Sequence, residues 1–164
     1  MTASQYGIEG LKAPELNKFR WIDIDGADRK AIQLNDYKDK FIVLYCFQSW
    51  CPGCHSVGLP SLVQMKEALK DNGAVEFFAI QTVFEGKTEN TFEKLKETQD
   101  QYGLRIPFGQ DEGDDATGNI SSVMYNYRTG GTPWFIFIDQ NQIVVFNDFH
   151  LNADKAIDFL KTIQ

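Results

Sequence analysis

The chain has 164 residues, 43% of them apolar and 13% aromatic, with a formal net charge of -7. This is enough apolar material for one domain with its own core, too short a chain for two ordinary domains, and too aromatic for a disordered one. The acidic balance excludes a phosphate-binding surface, so neither nucleic acid nor anionic membrane is an expected partner, and three cysteines are too few for the disulfide framework of a small secreted protein.

One domain is expected over 1–164, with 1–18 as an N-terminal extension and 84–129 as an insertion and connecting segment. "MTASQYGIEGLKAPELNKF" lacks the basic and apolar regions of a secretory leader. As written, it points to the cytoplasm, or to an extracytoplasmic site if a leader has been removed. A monomer is expected.

In chain order, "FRWIDIDG" alternates as a half-buried strand entering a turn, and "AIQL" can pair with it as a hairpin. "FIVLYCF" is a continuous apolar run suited to a central strand buried on both faces. After it, "HSVGLPSLVQMKEALKDNG" carries helical spacing through Leu62, Val63, Met65, Lys66 and Leu69, with Pro60 as a kink or restart and Gly73 as a stop. "VEFFAIQ" is a second buried strand, so the unit is strand, helix, strand and its pairing is parallel.

Beyond Phe84 the pattern loosens. "NTFEKLKETQDQYG" reads as a helix capped by Asn90, with Glu93 reaching back, and ended by Gly103. The acidic "QDEGDDATG" lacks the spacing of an EF-hand and reads as a solvated loop. "NISSVMYNY" is a short helix, "TPWFIFID" and "IVVFNDF" form a hairpin, and "NADKAIDFLKTI" closes the chain as an amphipathic helix capped by Asn152.

The chemistry concentrates in "QSWCPGCHS", at the junction of the first buried strand and its helix. A haem attachment reading would make His55 an axial ligand, but the motif lies in a sheet protein rather than a helical wrap. A zinc reading would need Cys46, His55 or His150 as further ligands, and Cys46 reads as a small core residue. A redox dithiol asks only for what the junction supplies. Cys51 at a helix N-terminus faces unpaired N–H groups that stabilise its thiolate, and Cys54, one turn deeper, can reach its sulfur. Cys51 is then the attacking thiolate and Cys54 the resolving thiol. Pro52 suits the first turn, Gly53 keeps the approach open, and Trp50 offers an apolar platform to a docking partner. His55 shares the helical face of Cys51 and could add charge beside it.

"FIVLYCFQSWCPGCHSVGLPSL", followed downstream by "GGTPWFIFID" and preceded by "AIQLNDYKDK", resembles the thioredoxin superfamily and is most similar to its TlpA/ResA-like branch of redoxins, related to AhpC/TSA. The resemblance covers the chain from about Phe19 to the C-terminus. It implies an α/β thioredoxin-like fold, a central mixed sheet flanked by helices, with an N-terminal β-hairpin and a helical insertion between central strands. It also implies a thiol-disulfide oxidoreductase that needs no cofactor or metal and works on a disulfide-containing protein or small thiol, with a separate reductant. By the same resemblance the Thr132–Pro133 bond is cis and lies beside Cys51, and Thr132 offers backbone groups to an extended substrate.

Three departures stand out. Tyr45 occupies the place of the buried aspartate that serves thioredoxins as a proton relay. Glu85 is the nearest match, offset by about one residue, to the catalytic glutamate of TlpA/ResA-like proteins. The helix proline falls six residues after Cys54 rather than five, so the active-site helix contains an extra residue. The alternatives are a peroxiredoxin-like thiol peroxidase, against which Gln48 and Leu44 stand where that pattern has Thr or Ser and Pro, and a non-catalytic binding module.

Overall fold

A computed structural model describes residues 6–164; the first five residues of the expected N-terminal extension lie outside it. Seven strands, β1 (Arg20–Ile22), β2 (Asp28–Arg29), β3 (Phe41–Phe47), β4 (Val75–Thr82), β5 (Phe108–Asp111), β6 (Trp134–Ile138) and β7 (Val144–Asp148), form one mixed sheet in the order β2-β1-β5-β4-β3-β6-β7. The central strand β3 (Phe41–Phe47) is buried along its whole length, as its unbroken apolar run demands. It pairs in parallel with β4 (Val75–Thr82) and antiparallel with β6 (Trp134–Ile138). β5 (Phe108–Asp111) extends the sheet in parallel beyond β4, and β7 (Val144–Asp148) closes the other side as a hairpin with β6.

Alternation along β3 sorts its side chains between two cores. Phe41, Val43, Tyr45 and Phe47 pack with α1 (Leu59–Ala68), α2 (Phe92–Gln101) and α4 (Ala153–Leu160). Ile42, Leu44 and Cys46 pack with α3 (Ser122–Tyr127) and the N-terminal segment. That segment also covers the outer edge of β7: the Gly10 N–H donates to the Val144 carbonyl, and the Val144 N–H to that of Leu11. An edge strand otherwise open to pairing is thereby closed.

The structure differs from the sequence reading at four places. The N-terminal hairpin forms between β1 (Arg20–Ile22) and β2 (Asp28–Arg29), while "AIQL" enters no strand. Asp23 and Asp25 fold the intervening chain into a tight turn instead, accepting from the N–H groups of Ile24 and Ala27. Helix α2 is capped by Thr91, whose hydroxyl accepts from the Lys94 N–H, and Asn90 is buried at the site described below. β5 emerges from a stretch that carried no strand signal, because Gly109, Gln110 and Asp111 are buried for reasons other than hydrophobicity. Gly109 is needed there: a β-carbon would strike the rings of Phe19 and Trp21.

The acidic stretch is only partly a solvated loop. Asp111 is buried and accepts from the Ser121 and Ser122 hydroxyls and from the N–H groups of Ser122 and Val123. Its carboxylate thus satisfies the N-terminal donors of α3, where negative charge is favoured. Residues 112–116 are exposed, as the sequence reading expects.

Candidate active site

At the carboxyl end of β3 the chain turns through Gln48–Trp50 and enters a helix at Pro52. The turn is held from below by buried amides. Gln81 accepts from the Ser49 N–H, Asn90 from the Trp50 N–H at 2.9 Å, and Gln48 from the N–H groups of Phe84 and Glu85. Asn90 also donates to the carbonyls of Glu85 and Gly86, tying this turn to the loop after β4. In the sequence Asn90 reads only as a helix cap and Gln48 only as a residue against the peroxidase pattern, and Gln81 is not singled out; the one signal for the supporting role of Gln48 and Gln81 is a polar residue at the end of an otherwise apolar strand.

Cys51, Cys54 and Pro133 converge above that turn. Cys51 is 7% exposed, Cys54 is fully buried, and both are free thiols. The Cys54 N–H donates to the Cys51 sulfur at 3.2 Å, and the Cys51 thiol lies 3.5 Å from the Thr132 carbonyl oxygen. The Thr132–Pro133 peptide is cis. Gly53 faces the Pro133 ring, where a β-carbon would sit 3.4 Å from its Cδ.

The surroundings drive the two thiols apart. The Cys51 pKa is lowered to about 6, first by the hydrogen bond from the Cys54 thiol, then, against the cost of burial, by the Thr132 side chain and the N–H groups of Cys54 and Gly53. These donors stabilise the thiolate. Cys54 moves the other way: burial pushes its thiol up, and the neighbouring Cys51 sulfur adds to that. One cysteine is thus a ready nucleophile and the other holds its proton.

The extra residue of the active-site helix is taken up as a π-helical turn over Cys54–Gly58, in which the Leu59 N–H bonds to the Cys54 carbonyl five residues back. Pro60 sits in the first turn of α1, where its missing N–H costs nothing. The widened turn lies over Tyr45, whose hydroxyl is 3.5 Å from the Cys54 carbonyl oxygen. Burial raises the Tyr45 pKa well above its ordinary value, helped by the adjacent Cys54. Tyr45 is therefore a neutral donor.

Trp50 is 57% exposed beside the pair, and Pro52 is exposed at the helix start. His55 is not turned toward the Cys51 sulfur: its Nε2 lies 2.6 Å from the Ser49 carbonyl oxygen and its Nδ1 2.7 Å from the Tyr102 hydroxyl. With both nitrogens engaged, it braces the turn against the end of α2. Glu85 is exposed and lines an open cleft with Trp50, Gly86 and Glu89. Its carboxylate makes no hydrogen bond or ion pair among the described residues, so the geometry gives it no contact with either thiol. The reason is local: the backbone of Glu85 is drawn to Gln48 and Asn90 at the base of the turn, which leaves its side chain pointing outward.

A mixed sheet with a dithiol at the helix following its central strand, facing a cis proline, defines a thioredoxin-like protein. The AhpC/TSA family model matches residues 10–147, and the chain belongs to that family; within it the chain is of the TlpA/ResA-like type. It is 29% identical over 136 residues to the thiol-disulfide oxidoreductase ResA of Bacillus thuringiensis, and equally to that of Bacillus anthracis. The match covers 83% of this chain but 66% of those relatives, so the chain spans just under two thirds of their length. Among solved structures, a thioredoxin-like superfamily protein is similar at a TM-score of 0.76 and 28% identity, covering 93% of this chain and 96% of that one. A thiol-disulfide isomerase from Corynebacterium glutamicum is similar at 0.74 and 26%, covering 92% and 96%.

Proposed function

We propose that the protein is a thiol-disulfide oxidoreductase working through Cys51 and Cys54. The observation that carries this reading is the split between the two thiols: donors converge on the Cys51 sulfur while Cys54 is buried one turn below it. The names of the ResA relatives and of the Corynebacterium isomerase support it.

In the reductive direction the Cys51 thiolate attacks one sulfur of a substrate disulfide, forming a mixed disulfide and expelling the other sulfur as a thiolate. Cys54 then loses its proton to that departing thiolate and attacks the Cys51 sulfur. The Cys51–Cys54 disulfide forms, the substrate leaves as one thiol and one thiolate that takes its proton from water, and two electrons have passed to it. A dithiol reductant resets the pair. Thr132 and Pro133 border Cys51, and we assign the Thr132 backbone to hold an extended substrate segment and Trp50 to pack against it. Glu85, exposed at the rim, is left outside the proton path.

The test is reduction of insulin with dithiothreitol as electron source. Wild type should accelerate it and Cys51→Ser should not, while Cys54→Ser should accumulate a mixed disulfide visible by mass. Equal rates with and without Cys51 would leave a binding module as the better reading.

A further inference from the structure

A continuous apolar groove leads away from the dithiol. Its first part, about 590 Å³, is walled by Gly53, Val57, Pro133 and Phe149. Leu151 and Asn152 line this part and also the next, of about 650 Å³, which runs between β7 and α4 past Phe137, Val145 and Phe159. Pro133 precedes β6 at one end, and Asp139, which follows β6, stands at the other. The groove therefore runs the length of the five-residue strand β6, from Pro133 to Asp139, on the order of 20 Å.

Large apolar side chains left exposed on a soluble protein are ordinarily scattered singly. Here four of the nine among the described residues, Val57, Val145, Phe149 and Phe159, line this one groove. The charged groups along its far part, Asp139 and Lys155, are of opposite sign and offer no net charge to select an ionised ligand. The edge of β7 is already paired with the N-terminal segment, so an occupant is held through side chains and not as an added strand.

On the oxidoreductase reading above, we propose that this groove binds an extended apolar segment of the polypeptide whose disulfide Cys51 attacks. Continuity with the dithiol sets the occupant: a chain held beside Thr132 and Pro133 reaches the Val145–Phe159 end within about six extended residues. The substrate class is then an unfolded or partly folded polypeptide, which presents such segments, rather than a small disulfide.

The test uses three synthetic peptides, each with one cysteine disulfide-bonded to 5-thio-2-nitrobenzoate. One has Ser and Gly flanks; the others carry Leu and Phe three to six residues on the C-terminal or the N-terminal side. One of the two apolar peptides should show a kcat/KM about tenfold above the polar one, equivalent to about 1.4 kcal/mol. Val145→Glu should bring that ratio toward one, and the milder Val145→Thr should lower it, whereas Tyr125→Glu on another face should keep it. Because the readout is a ratio within each variant, a general loss of fold or of dithiol reactivity does not imitate it.

Equal rates for all three peptides, or a preference that survives Val145→Glu, would overturn the inference. So would a dimer seen in sedimentation that Val145→Glu dissociates, since the groove would then hold a second copy. Failure of the oxidoreductase reading looks different: no peptide would release its chromophore at a rate that depends on Cys51.

Discussion

The Tyr45 hydroxyl lies 3.5 Å from the carbonyl oxygen of Cys54, beneath the π turn that the resolving cysteine begins. Two departures from the family pattern, a tyrosine for a buried acid and an extra residue before the helix proline, thus meet at one point. At 3.5 Å the bond to the carbonyl is at the long limit, which leaves the hydroxyl free to turn to the Cys54 sulfur beside it.

Tyr45→Phe keeps the stacking on Phe47 and removes that donor. Cys54 must become a thiolate to resolve the mixed disulfide, and a hydrogen bond to a charged group contributes about 1.5–3 kcal/mol. The resolving step should slow by roughly ten- to a hundredfold. Stopped-flow kinetics would show the mixed disulfide persisting, while alkylation of Cys51 keeps its pH midpoint.

That midpoint is itself a prediction. With the Cys51 pKa lowered to about 6, alkylation by iodoacetamide should rise through about pH 6 and level off above it. Thr132→Val, which removes one of the donors, should move the midpoint up. The stability linkage has a definite sign: a folded pKa below the unfolded value stabilises the reduced protein as pH rises from about 6 toward the ordinary thiol value, and the gain is lost on acidification through 6. Denaturant melts of the reduced protein should follow this trend, and melts of the disulfide form should lack it.

A stabilised thiolate also favours the reduced form, which raises the reduction potential. Equilibration in a glutathione series should place the pair between the roughly -270 mV of thioredoxin and the roughly -120 mV of DsbA. A value below that range would mean that the oxidised form is stabilised by more than the Cys51 thiolate gains.

Gly58 tests the π turn. Replacing glycine by alanine inside a helix ordinarily stabilises by up to about 1 kcal/mol. Here the new methyl would collide with the Tyr45 hydroxyl and with Pro133, both buried against the dithiol. Gly58→Ala should instead destabilise by about 1–3 kcal/mol, the usual cost of overpacking, and should shift the Cys51 midpoint. The double variant with Tyr45→Phe should recover part of the stability, which thermal melts of the four proteins would measure.

Asn90 tests the base of the turn. Asn90→Ala leaves the Trp50 N–H and the Glu85 carbonyl without their side-chain partner, at about 1–3 kcal/mol, while the Gly86 carbonyl keeps the backbone N–H groups of residues 89 and 90. The measurable consequence beyond stability is a raised KM for insulin, because Trp50 loses its anchor.

Much of this protein is written in short-range pattern. The unbroken apolar run from Phe41 to Phe47 could only be a strand covered on both sides, and two cysteines one turn apart at the following helix start bring their sulfurs together by helix geometry alone. Asn152 before an amphipathic stretch could hardly avoid capping α4. These features depend on neighbours a few residues away, and sequence carries them directly.

What tertiary structure decided are the polar residues whose partners are distant. Asn90 reads as a helix cap until the turn at Trp50, forty residues earlier, claims its side chain. Asp111 reads as solvated until α3 places its N-terminus over it, and where the Glu85 side chain points is settled only when Gln48 and Asn90 draw its backbone inward. The split between the Cys51 and Cys54 thiols has the same origin. A sulfur's charge is set by which donors surround it and how much water is excluded, and the Thr132 side chain arrives from eighty-one residues away.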